Sequence, residues 1–239
     1  MLQGKRDSAA AVELSTGRTF TYTLSIPLQL PLCAAILDVG YGSGNWLLTM
    51  AELGYRNLSG YDIHADPEVV AKFDQRGIRL LGELGEHCNE DSSYDCIRLE
   101  HVFEHLSDPK GVLETCRRIL KPGGRLLLNL PCAESWSERV SLVDNPSLEL
   151  PRHLYRHSQE SIRTMLEEAG FRVVGIISYG VVNHVLRCAN ARLRRRGLRG
   201  IPLSLGALLG PAYSAFCHAT GKGDHMTIMA SIGAGQAAG

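Results

Sequence analysis

No C-x-x-C pair occurs in the 239 residues, although the chain has seven cysteines: Cys33, Cys88, Cys96, Cys116, Cys132, Cys188 and Cys217. An odd count without paired spacing argues against a disulfide framework; these residues read as reduced, mostly buried, small apolar side chains of a cytoplasmic protein. Neither sign of charge is in excess: Lys plus Arg and Asp plus Glu are 25 each, with a pI near 7.1. No global basic field therefore draws nucleic acid, and no nucleic-acid partner is expected. The first residues, MLQGKRDSAAAVELSTGRT, contain no apolar core of signal length, so secretion is not expected. The chain also lacks G-x-x-x-x-G-K-[ST], which leaves a nucleoside triphosphate without its phosphate cradle. What remains, 44% hydrophobic and 21% charged, is enough for one sizeable core and one domain.

The stretch from Ile36 to Trp46, ILDVGYGSGNW, is an apolar run ending at an acid, then glycines, then the start of a helical pattern. Glycines at a strand-to-helix turn let bare backbone approach a ligand that a side chain would hold off, which points to a nucleotide-like cofactor. The spacing is not that of a dinucleotide site: the third glycine falls one place early, and Asn45 stands where G-x-G-x-x-G requires glycine. Asp38, two residues before Gly40, suits the ammonium of an amino acid better than a phosphate. After a helix over Asn45 to Leu53, closed by Gly54, a second short strand, NLSGYD, ends in Asp62. An acid about 20 residues past such a turn is where a ribose diol is held by two hydrogen bonds.

From these residues onward the chain resembles the class I S-adenosylmethionine-dependent methyltransferases. Asp95 to Pro109, DCIRLEHVFEHLSDP, is similar to the fourth strand and following helix of the family's small-molecule branch, which includes quinone-biosynthesis and sugar-modifying enzymes. Leu120 to Asn129, LKPGGRLLLN, and Leu150 to Phe171 are similar to its turn into strand five and the lead into strand six. The resemblance implies an α/β fold: a doubly wound, Rossmann-like, seven-stranded sheet, mostly parallel, with one antiparallel strand near the C-terminus. Alternating strand and helix patterns agree, with strands near 35–40, 57–62, 78–81, 94–99, 125–130, 172–178 and 225–232. One helix runs from Pro109 to Leu120 and stops at Pro122-Gly123-Gly124; another follows Ser158 and ends at Gly170. The methyltransferase domain is expected over 35–232, preceded by an N-terminal cover or flexible segment over 1–34 and followed by a flexible tail over 233–239.

The ligand of such a sheet lies at the carboxyl ends of the strands. The resemblance implies that Gly40, Gly42 and Gly44 line the methionine and ribose of S-adenosyl-L-methionine and that Asp62 holds its ribose hydroxyls. Asp38, Leu99 and the Gly82-Glu83-Leu84 turn belong to the same edge, Glu83 and Leu84 where adenine is usually held. Methyl transfer to a small-molecule acceptor, at oxygen rather than nitrogen or carbon, is the implied activity. A hydroxyl acceptor benefits from a general base, and His153 and His101 are the candidates, since a histidine titrates near operating pH. Arg152 and Tyr155 could alternatively bind an anionic or aromatic part of the acceptor.

Two alternatives stay open here. His101 to His105 spells H-V-F-E-H, the pattern of one zinc peptidase class with Glu104 as base, but Pro109 starts a new helix almost at once and no third ligand is distinctively spaced. No metal is assigned. The second alternative is a non-catalytic scaffold: relatives carry a small residue after the first glycine where this chain has Tyr41, whose ring could fill the pocket. Further on, Arg187, Arg192, Arg194, Arg195, Arg196 and Arg199 lead into the apolar segment 201–217, too short and too interrupted to span a membrane. Residues 187–217 suit contact with an anionic membrane surface, but the preferred reading of 183–222 is an insertion between strands six and seven that covers the acceptor site or a dimer partner.

Overall fold

The computed structural model describes residues 30–84 and 93–233. Most of the N-terminal segment expected over 1–34, Cys88 and the tail beyond Gly233 lie outside the described residues. Strands β1 (Ala35–Val39), β2 (Asn57–Tyr61), β3 (Arg79–Leu80), β4 (Tyr94–Glu100), β5 (Leu120–Pro131), β6 (Arg172–Tyr179) and β7 (His225–Ser231) form one sheet in the order β3-β2-β1-β4-β5-β7-β6. All pairings from β3 to β5 are parallel, and β7 runs antiparallel between β5 and β6. The expected fold class is the observed one. Going out from β1 to β3 and returning to β4 opens a crevice between the carboxyl ends of β1 and β4, where the strand order reverses.

Every residue of β1, AILDV, is buried, as a central parallel strand covered on both faces requires. Alternate side chains serve the two layers. Leu37, Ile97, Leu99, Leu126 and Leu128 pack with Leu113, Cys116, Ile162 and Leu166, whereas Ile36, Leu58, Cys96 and Leu127 pack with Leu47, Met50, Val69 and Phe73. The first set meets helices α3 (Pro109–Ile119) and α5 (Gln159–Glu168); the second meets α1 (Asn45–Glu52) and α2 (Pro67–Arg76). Caps set the starts: Asp66 accepts from Glu68 N ahead of Pro67, Asp108 accepts from Gly111 N, and Ser158 and Ser161 form a reciprocal capping box. Burial pushes the thiols of Cys96, Cys116 and Cys132 up to about 12, so they behave as inert apolar residues.

One reading is corrected. Helix α3 stops at Ile119, not at Pro122-Gly123-Gly124. Leu120 is already extended and pairs with Tyr94, and the Pro-Gly-Gly lies in a bulge of β5 where the register shifts before Cys96 pairs with Arg125. Gly123, at φ 79°, supplies the left-handed residue that this bulge needs. Within 183–222 the chain forms two helices, α6 (Val182–Arg195) and α7 (Leu205–Thr220), with Pro211 inside the second. A short helix α4 (Trp136–Ser141) lies against α6. Arg192 donates to the Val140 carbonyl, and Arg195 pairs with Asp144 at 2.7 Å, so part of the arginine cluster serves this packing. Among the described residues no helix is long and apolar enough to cross a membrane.

Candidate functional site

In the turn after β1 the three glycines are left-handed: φ is 72° at Gly40, 51° at Gly42 and 71° at Gly44. The three have different tasks. A Cβ on Gly40 would stand 2.2 Å from Val102 Cγ2, and one on Gly44 2.6 Å from the Phe73 ring; at Gly42 it would meet nothing within 4 Å among the described residues. Two glycines therefore let core side chains close in, and Gly42 alone turns its open side to free space. Asp62, just past β2, ties the turn in place: Oδ2 accepts from Gly42 N at 2.8 Å and Oδ1 from His64 N at 2.8 Å. Each carboxylate oxygen keeps acceptor capacity for a ligand hydroxyl.

Tyr41 does not fill the crevice. It is 6% exposed and meets the Phe73 ring edge-on at 5.0 Å. Gly60 of β2 makes room for it, since a Cβ there would lie 2.8 Å from Tyr41 Cδ1. The bulky residue in the glycine turn is thus a core residue.

Asp38 is fully buried, and its Oδ1 accepts from Arg98 Nη1 at 2.8 Å. The parallel register sets Arg98 beside Asp38, and Arg98 also pairs with Glu100 and lies 4.4 Å from the centroid of the Trp46 ring. Burial pushes the Asp38 carboxyl upward and the guanidinium opposes it. Asp38 is thus one of two acids sharing one arginine, a group with one formal net negative charge. Among the described residues Asp38 Oδ2 has no hydrogen-bond partner. Leu99 is 0% exposed and belongs to the core, so only its backbone lies at the edge. Glu83 is exposed, and Leu84 packs partly on the core at the boundary of the described residues.

The second half of the edge is built of histidines. His101, at the end of β4, has φ 51°, an uncommon conformation for a residue with a side chain. Its exposed ring sets Nδ1 3.2 Å from Oε1 of Glu104, which is 1% exposed and lies in the 3-10 turn Phe103–His105. His101 lies outside that three-residue turn, so the two histidines of H-V-F-E-H do not share a helix as the peptidase arrangement requires. His153 is buried, with Nδ1 2.9 Å from the Ser147 carbonyl and its ring 4.8 Å from that of His105. Of the two candidate bases, His101 alone is exposed.

Several residues here escaped sequence reasoning. His225, at the start of β7, meets His101 edge-on at 5.1 Å, His184 at 5.5 Å and Tyr179 in a stack at 5.6 Å. Tyr179 donates to Asn129 Oδ1, and Asn129 in turn reaches Glu100. Buried Asp224 accepts from Val181 N at 2.7 Å, and burial raises its carboxyl. An arginine amid a central strand, in I-R-L-E, was a usable signal of a buried acid beside it. The convergence of His184 and His225, separated in sequence by α7, left none. By contrast, the surface hollow lined by Gly123, Arg125, Phe171 and Arg172 lies at the opposite end of the strands and holds none of these groups.

Burial and the neighbouring His101, His184 and His153 lower the His225 imidazole to about 3. In an unfolded chain it takes a proton near pH 6.5, so between about 6.5 and 3 the unfolded chain binds more protons. Stability is therefore full above that window and falls as pH drops through it. Urea midpoints at pH 7.5 and pH 5 are expected to differ by the equivalent of about 2 kcal/mol from this residue, and His225→Gln should remove that share. An unchanged pH dependence in the variant would refute the assignment.

A family model described as a methyltransferase domain matches residues 18–176. An uncharacterized 37.1 kDa protein of transposon TN4556 from Streptomyces fradiae is 30% identical over 179 residues, 68% of this chain and 50% of that protein. The ubiquinone biosynthesis O-methyltransferase of Cronobacter sakazakii is 32% identical over 109 residues, 42% of this chain and 44% of that enzyme. The chain thus spans half or less of the length of these curated relatives. A putative sarcosine dimethylglycine methyltransferase from Galdieria sulphuraria shares the fold, with a TM-score of 0.55, 20% identity, and coverage of 85% of this chain and 80% of that one.

Proposed function

The chain belongs to the methyltransferase-domain family, and we propose that it transfers a methyl group from S-adenosylmethionine to a hydroxyl of a small-molecule acceptor. The observation that carries this reading is the open side of Gly42, with its N–H fixed by Asp62, beside a wall of one net negative charge. Asp62 would hold the ribose hydroxyls and the backbone at Gly42 would lie along the cofactor. Asp38 Oδ2, buried without a partner, is the acceptor that an ammonium donor would satisfy. The negative group Asp38–Arg98–Glu100 suits a ligand whose net charge is positive. Bound there, the cofactor supplies an activated methyl on a sulfonium.

The chain's remaining task is to orient the acceptor and take its proton. His101 does this at Nε2, because Nδ1–H donates to Glu104 and leaves Nε2 with the lone pair. Glu104 is a positioning residue: it fixes the tautomer and the ring orientation, as a buried acid does for a catalytic histidine elsewhere. The packing of Tyr41 away from the crevice speaks against the scaffold reading. Transfer to oxygen is supported by the O-methyltransferase named among the relatives.

The test is methyl transfer from methyl-labelled S-adenosylmethionine to paired acceptor mixtures, phenols and sugars in one and amines in the other. Label is expected in ethers of the hydroxyl mixture. Label confined to the amines would overturn the oxygen reading, and label in neither would return the scaffold reading to first place.

A further inference from the structure

Glu104, His105 and His153 each offer a ligand atom, and these atoms all lie within 4.8 Å of one another. Three such points share a centre no more than about 2.8 Å from each, so inward shifts of under about 1 Å would reach the 2.0–2.2 Å of zinc–nitrogen and zinc–oxygen bonds. The segment that carries His153 is fastened onto the 3-10 turn by Leu154 N donating to the Glu104 carbonyl at 2.8 Å. The cluster is therefore held by backbone.

Both histidines are set as ligands are set. His105 Nδ1 lies 2.8 Å from the Arg152 carbonyl and His153 Nδ1 lies 2.9 Å from the Ser147 carbonyl. A carbonyl can only accept, so each Nδ1 carries the proton and each Nε2 keeps a lone pair. Metal-binding histidines have this outer partner, which fixes the tautomer and the ring orientation. Glu104 provides an independent sign. It is 1% exposed, its Oε1 faces His101, and its Oε2 is buried with no hydrogen-bond partner among the described residues. An unsatisfied oxygen of a buried carboxylate is strongly unfavourable unless a cation or donor completes it. Glu149, whose Oε2 lies 3.9 Å from His153 Nε2, is half-exposed and within reach as a further ligand.

We propose that Glu104, His105 and His153 form a divalent-cation site of the two-histidine, one-carboxylate class, suited to zinc. Two imidazoles and a carboxylate match borderline cations rather than calcium or magnesium, which take oxygen ligands. Three protein ligands leave positions open to water or to an oxygen of the acceptor. This site differs from the H-x-x-E-H arrangement, because His101 faces the other carboxylate oxygen and the third ligand comes from the segment before α5.

The test uses the full chain, stripped with chelator, dialysed and reloaded with zinc alone, then read by metal analysis and by titration calorimetry. About one equivalent of zinc is expected, with cobalt(II) giving visible absorption bands on the same protein. His105→Ala and the near-isosteric Glu104→Gln should each weaken zinc binding at least about 10-fold, while His218→Ala, on the exposed face of α7, should not. Circular dichroism identifies any variant that fails to fold, and His105, being only partly buried, is the one least at risk. No zinc on the folded wild-type chain, or equal binding by His105→Ala and Glu104→Gln, would overturn the site. So would an equal loss in His218→Ala. Binding of S-adenosylhomocysteine to the same samples is expected to be independent of His105, so failure of the metal site and failure of the methyltransferase reading remain distinguishable.

Discussion

Arg98→Leu is expected to destabilise the fold by about 3–5 kcal/mol, read as a lowered urea midpoint at pH 7.5, because it strands the buried Asp38 carboxylate behind the glycine turn. Asp38 is 0% exposed and Arg98 4% exposed, so neither charge has water to replace its partner. The same change removes the guanidinium from the Trp46 ring at the start of α1, the helix that the glycine turn feeds. Acidification should partly relieve the variant. Burial already raises the Asp38 carboxyl and Arg98 opposes that rise; without the arginine the acid protonates more readily and the buried charge disappears. The deficit against wild type should therefore shrink from pH 7.5 to pH 5, and adding Asp38→Asn should recover part of it. A variant as stable as the parent would mean that the three charged groups do not act as a unit.

The largest expected effect on activity comes from His101→Asn, which should lower kcat by about 10²- to 10⁴-fold while leaving cofactor affinity unchanged. Asparagine is the informative replacement. It tolerates the left-handed backbone that His101 adopts at φ 51°, so the change removes the imidazole without forcing the turn to move. Full activity in the variant would contradict the assignment of His101 as the base.

The fold was legible because its signals are local and redundant. A strand buried on both faces, glycines at its tip and an acid at the end of the next strand each leave their own mark between Ile36 and Asp62. Caps such as Asp108-Pro109 place the helices to within a residue. The partners of those residues were less visible. Asp38 showed no partner in the sequence because its arginine stands sixty positions on, and only the β1–β4 register sets the two side by side. Tyr41 read as an obstruction because Gly60, which admits its ring to the core, lies in a different strand. The histidine cluster was least legible of all: His101, His184 and His225 meet only because β7 returns antiparallel between β5 and β6 and brings its first residue to the edge where β4 ends. The helices of 183–222 were obscured for a simpler reason, since Gly210-Pro211 suggests a break that the rest of α7 overrides.

The central claim is that a positively charged nucleoside cofactor lies along Gly42 with its sugar held by Asp62, and calorimetry tests it most directly. Wild-type protein is expected to bind S-adenosylmethionine and S-adenosylhomocysteine with one site and not to bind NAD. Asp62→Ala should weaken both by at least about 100-fold, the loss of two charge-assisted hydrogen bonds to the ribose. Equal affinity in the variant, or binding of NAD in place of the sulfonium compound, would contradict the account.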